Sequence, residues 1–113
     1  MLPSGGDQSR RTPTYDLEEV QRLVGQGPIS RFISNTAREG AAGLDLSETV
    51  IVEAILLLSP SNFYKTMESE RTPGLWQDVY HLTYRDGDVY FNLYIKVQID
   101  HHGRAAVISF KKR

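Results

Sequence analysis

The residues of this chain best suited to chemistry are lysines, tyrosines and amides set at every second position towards its C-terminus. From Val89 to Asp100, the apolar Val89, Phe91, Leu93, Ile95, Val97 and Ile99 alternate with Tyr90, Asn92, Tyr94, Lys96, Gln98 and Asp100. Alternation of period two describes a strand with one buried and one wet face. With flanking strands over about Leu75 to Tyr84 and Arg104 to Lys111, the wet face gathers Gln77, His81, Thr83, Tyr90, Asn92, Tyr94, Lys96, Ser109 and Lys111. Trp76, Tyr80 and Leu82 go to the core side. Exposed tyrosines beside lysines suit stacking on unpaired bases and contact with phosphates. A face with no cluster of carboxylates suits a polyanion. Any half-covered sheet also shows such a face to solvent, and alternation alone does not separate the two.

Register follows from the turns. Asp86-Gly87 reads as a two-residue type I′ hairpin loop, which sets Thr83 opposite Tyr90, His81 opposite Asn92 and Gln77 opposite Lys96. The second turn lies at Asp100-His101-His102-Gly103. Matching Ile108 and Phe110 to Ile95 and Leu93 then puts Lys111 opposite Asn92 and diagonal to Tyr90. A slip of two residues would change neighbours and keep every face, whereas a slip of one would bury Lys111 and expose Phe110.

The elements that must hold this sheet lie upstream. A helix is expected over about Leu17 to Val24, with Asp16 as N-cap and Glu19 at capping-box spacing, ending at Gly25, Gly27 and Pro28. Ile29 to Ile33 reads as a short edge strand, and Asn35 to Ala42 as a second helix. A third, the core helix, runs from Glu48 to Leu58 behind Ser47, with Val50, Ile51, Ala54, Ile55 and Leu58 at helical spacing. Ser59-Pro60 reads as one more helix start, opening a short helix through about Met67 that carries Tyr64 and Lys65. Met1 to Arg11 lacks apolar periodicity and reads as a flexible tail, leaving residues 12–113 as a single α+β domain.

At 113 residues there is room for one core. The net charge of −1 makes no case for nucleic acid, but from Tyr84 onward six bases stand against three acids, a balance of +3 that leaves −4 for the first 83 residues. Such a split suits a basic working surface or a solvated basic end. The absence of cysteine excludes disulfides, a thiolate nucleophile and a cysteine-built zinc site. The longest apolar run, Ala54 to Leu58, is too short to span a bilayer. No charged segment leads into an apolar one at the start, so no secretion signal is read and a cytoplasmic location is expected.

Several blocks then occur together and in order: Arg11-Thr12-Pro13, Asp16-Leu17-x-x-Val20 with Leu23-Val24, Leu58 to Met67 (containing Phe63-Tyr64-Lys65), Trp76-Gln77-Asp78-Val79-Tyr80, Gly87-x-Val89-Tyr90, and Val107-Ile108-Ser109-Phe110-Lys111. In these the chain resembles the MqsR family, the motility quorum-sensing regulator toxins of bacterial toxin–antitoxin pairs. The resemblance implies a RelE-like fold, an antiparallel sheet flanked by helices. It also implies cleavage of single-stranded mRNA at short sites of GCU type, which stops translation until a cognate antitoxin intervenes. In the best-known pairs that antitoxin has a zinc-binding N-terminal domain and a helix-turn-helix domain, so DNA enters only through the partner. Carried over one at a time, the family's catalytic positions fall on Lys65, Gln77, Tyr90 and Lys111. The longer second hairpin with His101 and His102, the Lys112-Arg113 end and the acidic balance depart from the pattern.

RNA brings its own nucleophile, the 2′-hydroxyl, so the expected reaction needs alignment, charge stabilisation and two proton transfers, with neither metal nor cofactor. Lys65 and Lys111 would hold the phosphate, Tyr90 would move a proton and Gln77 would orient the phosphate or ribose. Tyr64, Met67, His81, Asn92, Lys96, Lys112 and Arg113 are the expected RNA contacts. Two other readings stand beside this one. His81, His101 and His102 can be read as an acid–base pair or metal ligands, although adjacent histidines in a strand-like geometry point apart. The same face can also serve a binding module that cuts nothing.

Overall fold

The computed structural model describes residues 9–113. Ser9–Arg10 (β1), Phe63–Glu68 (β3), Trp76–Asp86 (β4), Val89–Ile99 (β5), Ala105–Lys112 (β6) and Arg31–Ile33 (β2) form one sheet in the order β1-β3-β4-β5-β6-β2. All neighbours are antiparallel except β2, which runs parallel to β6 at the edge. Three helices, Leu17–Gln26 (α1), Asn35–Ala42 (α2) and Glu48–Leu57 (α3), bury one face of it. The fold is therefore α+β, with the expected meander as β4, β5 and β6 and three further short strands.

Local chemistry explains the helices. Asp16 caps α1 by accepting the Glu18 amide, and Val20, Leu23 and Val24 face the core. Glu19, at capping-box spacing, pairs with Arg22 instead, the two side chains being neighbours at i and i+3. Ser34 and Ser47 cap α2 and α3. From α1, the Gln21 amide donates to the carbonyls of Ile55 and Leu58, satisfying orphan acceptors at the end of α3. Gly40 in α2 lies directly against the Phe110 carbonyl, where a Cβ would collide with the backbone of β6. The core is closed by Ile51, Ala54 and Ile55 of α3 against Tyr80, Leu93, Ile95, Val97, Val107 and Phe110 of the sheet.

Several expectations are corrected here. Ser9–Arg10, read as part of a flexible tail, pair with Met67 and Thr66; residues 1–8 lie outside the described residues. The helix expected from Pro60 to Met67 stops after one 3-10 turn, Pro60–Asn62, in which Asn62 Oδ1 accepts the Ser59 amide. From Phe63 the chain is strand, so Lys65 enters the sheet from β3 and not from a helix. The first hairpin turns at Gly87-Asp88 rather than Asp86-Gly87, pairing Asp86 with Val89. Gly87 has φ 63° and Asp88 is not among the positive-φ residues, the φ signs of a type II′ turn. Every β4–β5 partner thus moves by two residues and each side chain keeps its face.

The β5–β6 register moves too. Phe110 pairs with Ile95 and Val107 with Val97, with a bulge that leaves Ile108 unpaired between them. Lys111 consequently faces Tyr94 rather than Asn92, and Lys112 pairs with the core residue Leu93. Where adjacent histidines in a strand would diverge, the Asp100–Arg104 turn brings the rings of His101 and His102 to 4.0 Å between centroids.

Candidate active site

The open face of the sheet is organised in rows that cross the strands. In one row, Lys65 of β3, Val79 of β4, Lys96 of β5 and Ser109 of β6 lie side by side. Val79 is completely buried although it lies on this face, since the aliphatic stems of lysines on either side can cover it. In the next row, His81, Tyr94 and Lys111 are direct partners. A bulge between Phe63 and Lys65 turns Tyr64 onto the same face, where its ring stacks on His81 at 4.4 Å. The bulge gives β3 two successive residues, Tyr64 and Lys65, on the working side, which plain alternation forbids.

Tyr94 is the centre of this arrangement. Its ring lies 6.1 Å from that of His81 and 4.9 Å from Lys111 Nζ, and its hydroxyl is 4.0 Å from Met67 Sδ. Lys65 Nζ is 5.3 Å from the Tyr64 ring. Burial, then the charge of Lys111, lowers the Lys96 pKa from its ordinary value; Lys65 adds to this and Glu70 opposes it. Burial, then Arg113 and Lys65, lowers the His81 pKa. Burial, and Tyr64 after it, raises that of the Tyr94 phenol. The result is a patch, half-buried except at the exposed Lys111, with three ammonium groups, one imidazole biased to its neutral form and one phenol biased to stay protonated.

This face suits a nucleic acid strand: flat aromatic surfaces for bases next to cations for phosphates. A family model described as "Motility quorum-sensing regulator, toxin of MqsA" matches residues 12–112. The chain belongs to the MqsR toxin family. It is also 32% identical over 104 residues to the mRNA interferase toxin MqsR of Escherichia coli (strain K12), a match that covers 92% of this chain and 98% of that protein.

The four positions that the MqsR resemblance singles out are not brought to one point. Lys111 stands beside Tyr94, and Lys65 lies in the adjoining row with Lys96, next to Tyr64. Gln77 is on the same face but buried, its amide donating to Gln98 Oε1 at 2.9 Å. Tyr90 is 64% exposed beside the hairpin tip, paired with Arg85. It lies four residues from Tyr94, roughly 13 Å at strand rise. Among the expected RNA contacts, Tyr64, Met67, His81 and Lys96 surround Tyr94. Asn92 lies one row further out, bonded to Thr83, and its carbonyl accepts the Arg113 amide. Lys112 pairs with Leu93 on the helix side of the sheet, opposite to Lys111, so it does not join the site.

Reasoning from sequence overlooked one residue of structural weight. Asp78 is fully buried on the core side of β4 and accepts the amides of Thr14 and Tyr15. A carboxylate at a core position of an alternating strand is the signal that could have found it.

Proposed function

We propose that this protein is a toxin-antitoxin toxin that cuts single-stranded mRNA without a metal or other cofactor, at GCU-type sites, leaving 2′,3′-cyclic phosphate and 5′-hydroxyl ends. Family membership supports the toxin and mRNA interferase assignment. The observation that carries the chemistry is the placing of Lys65, Lys96 and Lys111, from three strands, in two adjoining rows of one face that also hold Tyr94 and His81. Three ammonium groups supply the charge needed to bind a phosphodiester and to stabilise the extra negative charge of a phosphorane-like transition state. Lys65 and Lys111, from adjoining rows of the face, hold the scissile phosphate; Tyr64, stacked on His81, offers its outer ring face to the neighbouring base. Gln77 acts through its bond to Gln98, fixing the floor of the site beside Met67. A cognate antitoxin, of the zinc-binding and helix-turn-helix kind, neutralises the toxin in the cytoplasm, and DNA is met only through it.

Purified protein incubated with a GCU-containing RNA in the presence of EDTA, followed by end-group analysis, tests this reading. The expected result is one cut per site with a 5′-hydroxyl on the downstream product. Intact RNA, cleavage abolished by EDTA, or 5′-phosphate ends would overturn it.

A further inference from the structure

The tyrosine offered by family resemblance, Tyr90, is two rows away from Lys111 and three from Lys65 and Lys96, and the phenol that faces Lys111 is Tyr94. Its partner across β4 is His81. The turn and the bulge of the second hairpin set this pairing. The Asp100–Arg104 turn pairs Ile99 with Ala105, and the bulge that leaves Ile108 unpaired then brings Lys111 opposite Tyr94. We propose that Tyr94 and His81 form the proton-transfer pair at the scissile phosphate, in place of Tyr90. The proposal rests on the endoribonuclease reading above.

The step balances with these groups alone. The 2′-oxygen bonds to phosphorus as its proton passes to an imidazole nitrogen of His81. The bond from phosphorus to the 5′-oxygen breaks with its electron pair on oxygen, which takes the Tyr94 phenolic proton. Imidazolium and phenolate are left, and a proton returned through water restores both.

The surroundings favour each direction. Tyr64 and Lys65 of β3, Tyr94 of β5, and Arg113 after β6 face His81, and burial together with Arg113 and Lys65 keeps the imidazole in the neutral form that accepts a proton. A raised phenol pKa keeps Tyr94 protonated until the far more basic 5′-alkoxide forms. Lys111 Nζ, 4.9 Å from the Tyr94 ring, then shares the phenolate's charge.

Single-turnover cleavage of a short GCU-containing RNA by wild type, Tyr94→Phe, Tyr90→Phe and His81→Asn, each shown folded by circular dichroism, tests the pair. The same RNA with sulfur in place of the 5′-bridging oxygen is cut in parallel, because a thiolate leaves without needing a proton. Tyr94→Phe is expected to slow the oxygen substrate by on the order of a hundredfold or more, to lose far less on the sulfur substrate, and to be slower than Tyr90→Phe. His81→Asn is expected to remove the rise of rate with pH on the acid side of neutrality. A larger loss in Tyr90→Phe, an equal Tyr94→Phe defect on both substrates, or an unchanged pH profile in His81→Asn overturns the pair while the wild-type cut keeps the endoribonuclease reading. Wild type that cuts neither RNA ends both.

Discussion

The two carboxylate oxygens of Asp78 accept the backbone amides of Thr14 and Tyr15 at 3.0 and 2.9 Å, tying the segment ahead of α1 to the middle of the sheet. Asp78→Ala would leave both amides without partners beside the Thr66 and Thr14 hydroxyls, which are bonded to each other at 2.8 Å. Hydrogen bonds to a charged acceptor contribute about 1.5–3 kcal/mol each, so the expected loss is about 3 kcal/mol or more. Thr14→Ala, which keeps both amide bonds, should cost about 1 kcal/mol. Urea denaturation of both variants checks this; equal losses would contradict the primary role given to the carboxylate.

Gly40 gives a prediction whose sign separates two effects. In an isolated helix, Gly→Ala is favourable by about 1 kcal/mol. At this position the new Cβ would collide with the Phe110 carbonyl, which belongs to β6 and cannot move without carrying Lys111 with it. Overpacking costs about 1–3 kcal/mol, so Gly40→Ala is expected to lower the thermal midpoint and the cleavage rate together. A midpoint above wild type would mean that α2 can slide away from the sheet.

The contrast between neighbouring lysines tests the face assignment. Lys111 stands beside Tyr94 on the open face, and Lys112 pairs with Leu93 on the helix side. Each phosphate contact to a single strand contributes about 0.7 to the slope of log affinity against log salt. Lys65→Ala and Lys111→Ala should each flatten that slope by roughly this amount, and Lys112→Ala should leave it near the wild-type value. A Lys112→Ala effect matching that of Lys111→Ala would place the RNA on both sides of β6.

Which side chains share a face was legible in the sequence because the period of a strand survives a two-residue slip; which of them touch was not. Asp86-Gly87-Asp88 can seat its glycine in either of two adjacent two-residue loops, and the difference moves His81 from Asn92 to Tyr94. In the second hairpin the turn and the bulge at Ile108 each shift the register by one residue, and together they move Lys111 from Asn92 to Tyr94. Strand β3 was hidden by a helix start at Ser59-Pro60 that forms for only one turn, and by a bulge at Tyr64 that breaks the alternation. The lysines of the site were therefore named from sequence, while the phenol beside Lys111 had to be read from strand pairing.

The turn that sets this pairing depends on one carboxylate. Asp100 accepts the amides of His102 and Arg104 at 2.9 and 3.0 Å and the Arg104 guanidinium at 3.0 Å. Burial alone would raise its pKa, but these bonds and the Arg104 charge outweigh burial and hold it below the ordinary 3.8. A carboxyl depressed in the folded state stabilises the fold at pH values above its unfolded pKa, and that contribution is lost as pH falls through the folded pKa. Asp100→Asn removes the charge and one acceptor oxygen, so wild type should exceed it in stability by a constant margin at neutral pH. The margin should shrink as the pH drops below 3.8. Parallel urea titrations across that range check this. A margin unchanged into strong acid would mean that hydrogen-bond geometry, and not the ionised carboxylate, holds the β5–β6 turn and with it the contact of Lys111 with Tyr94.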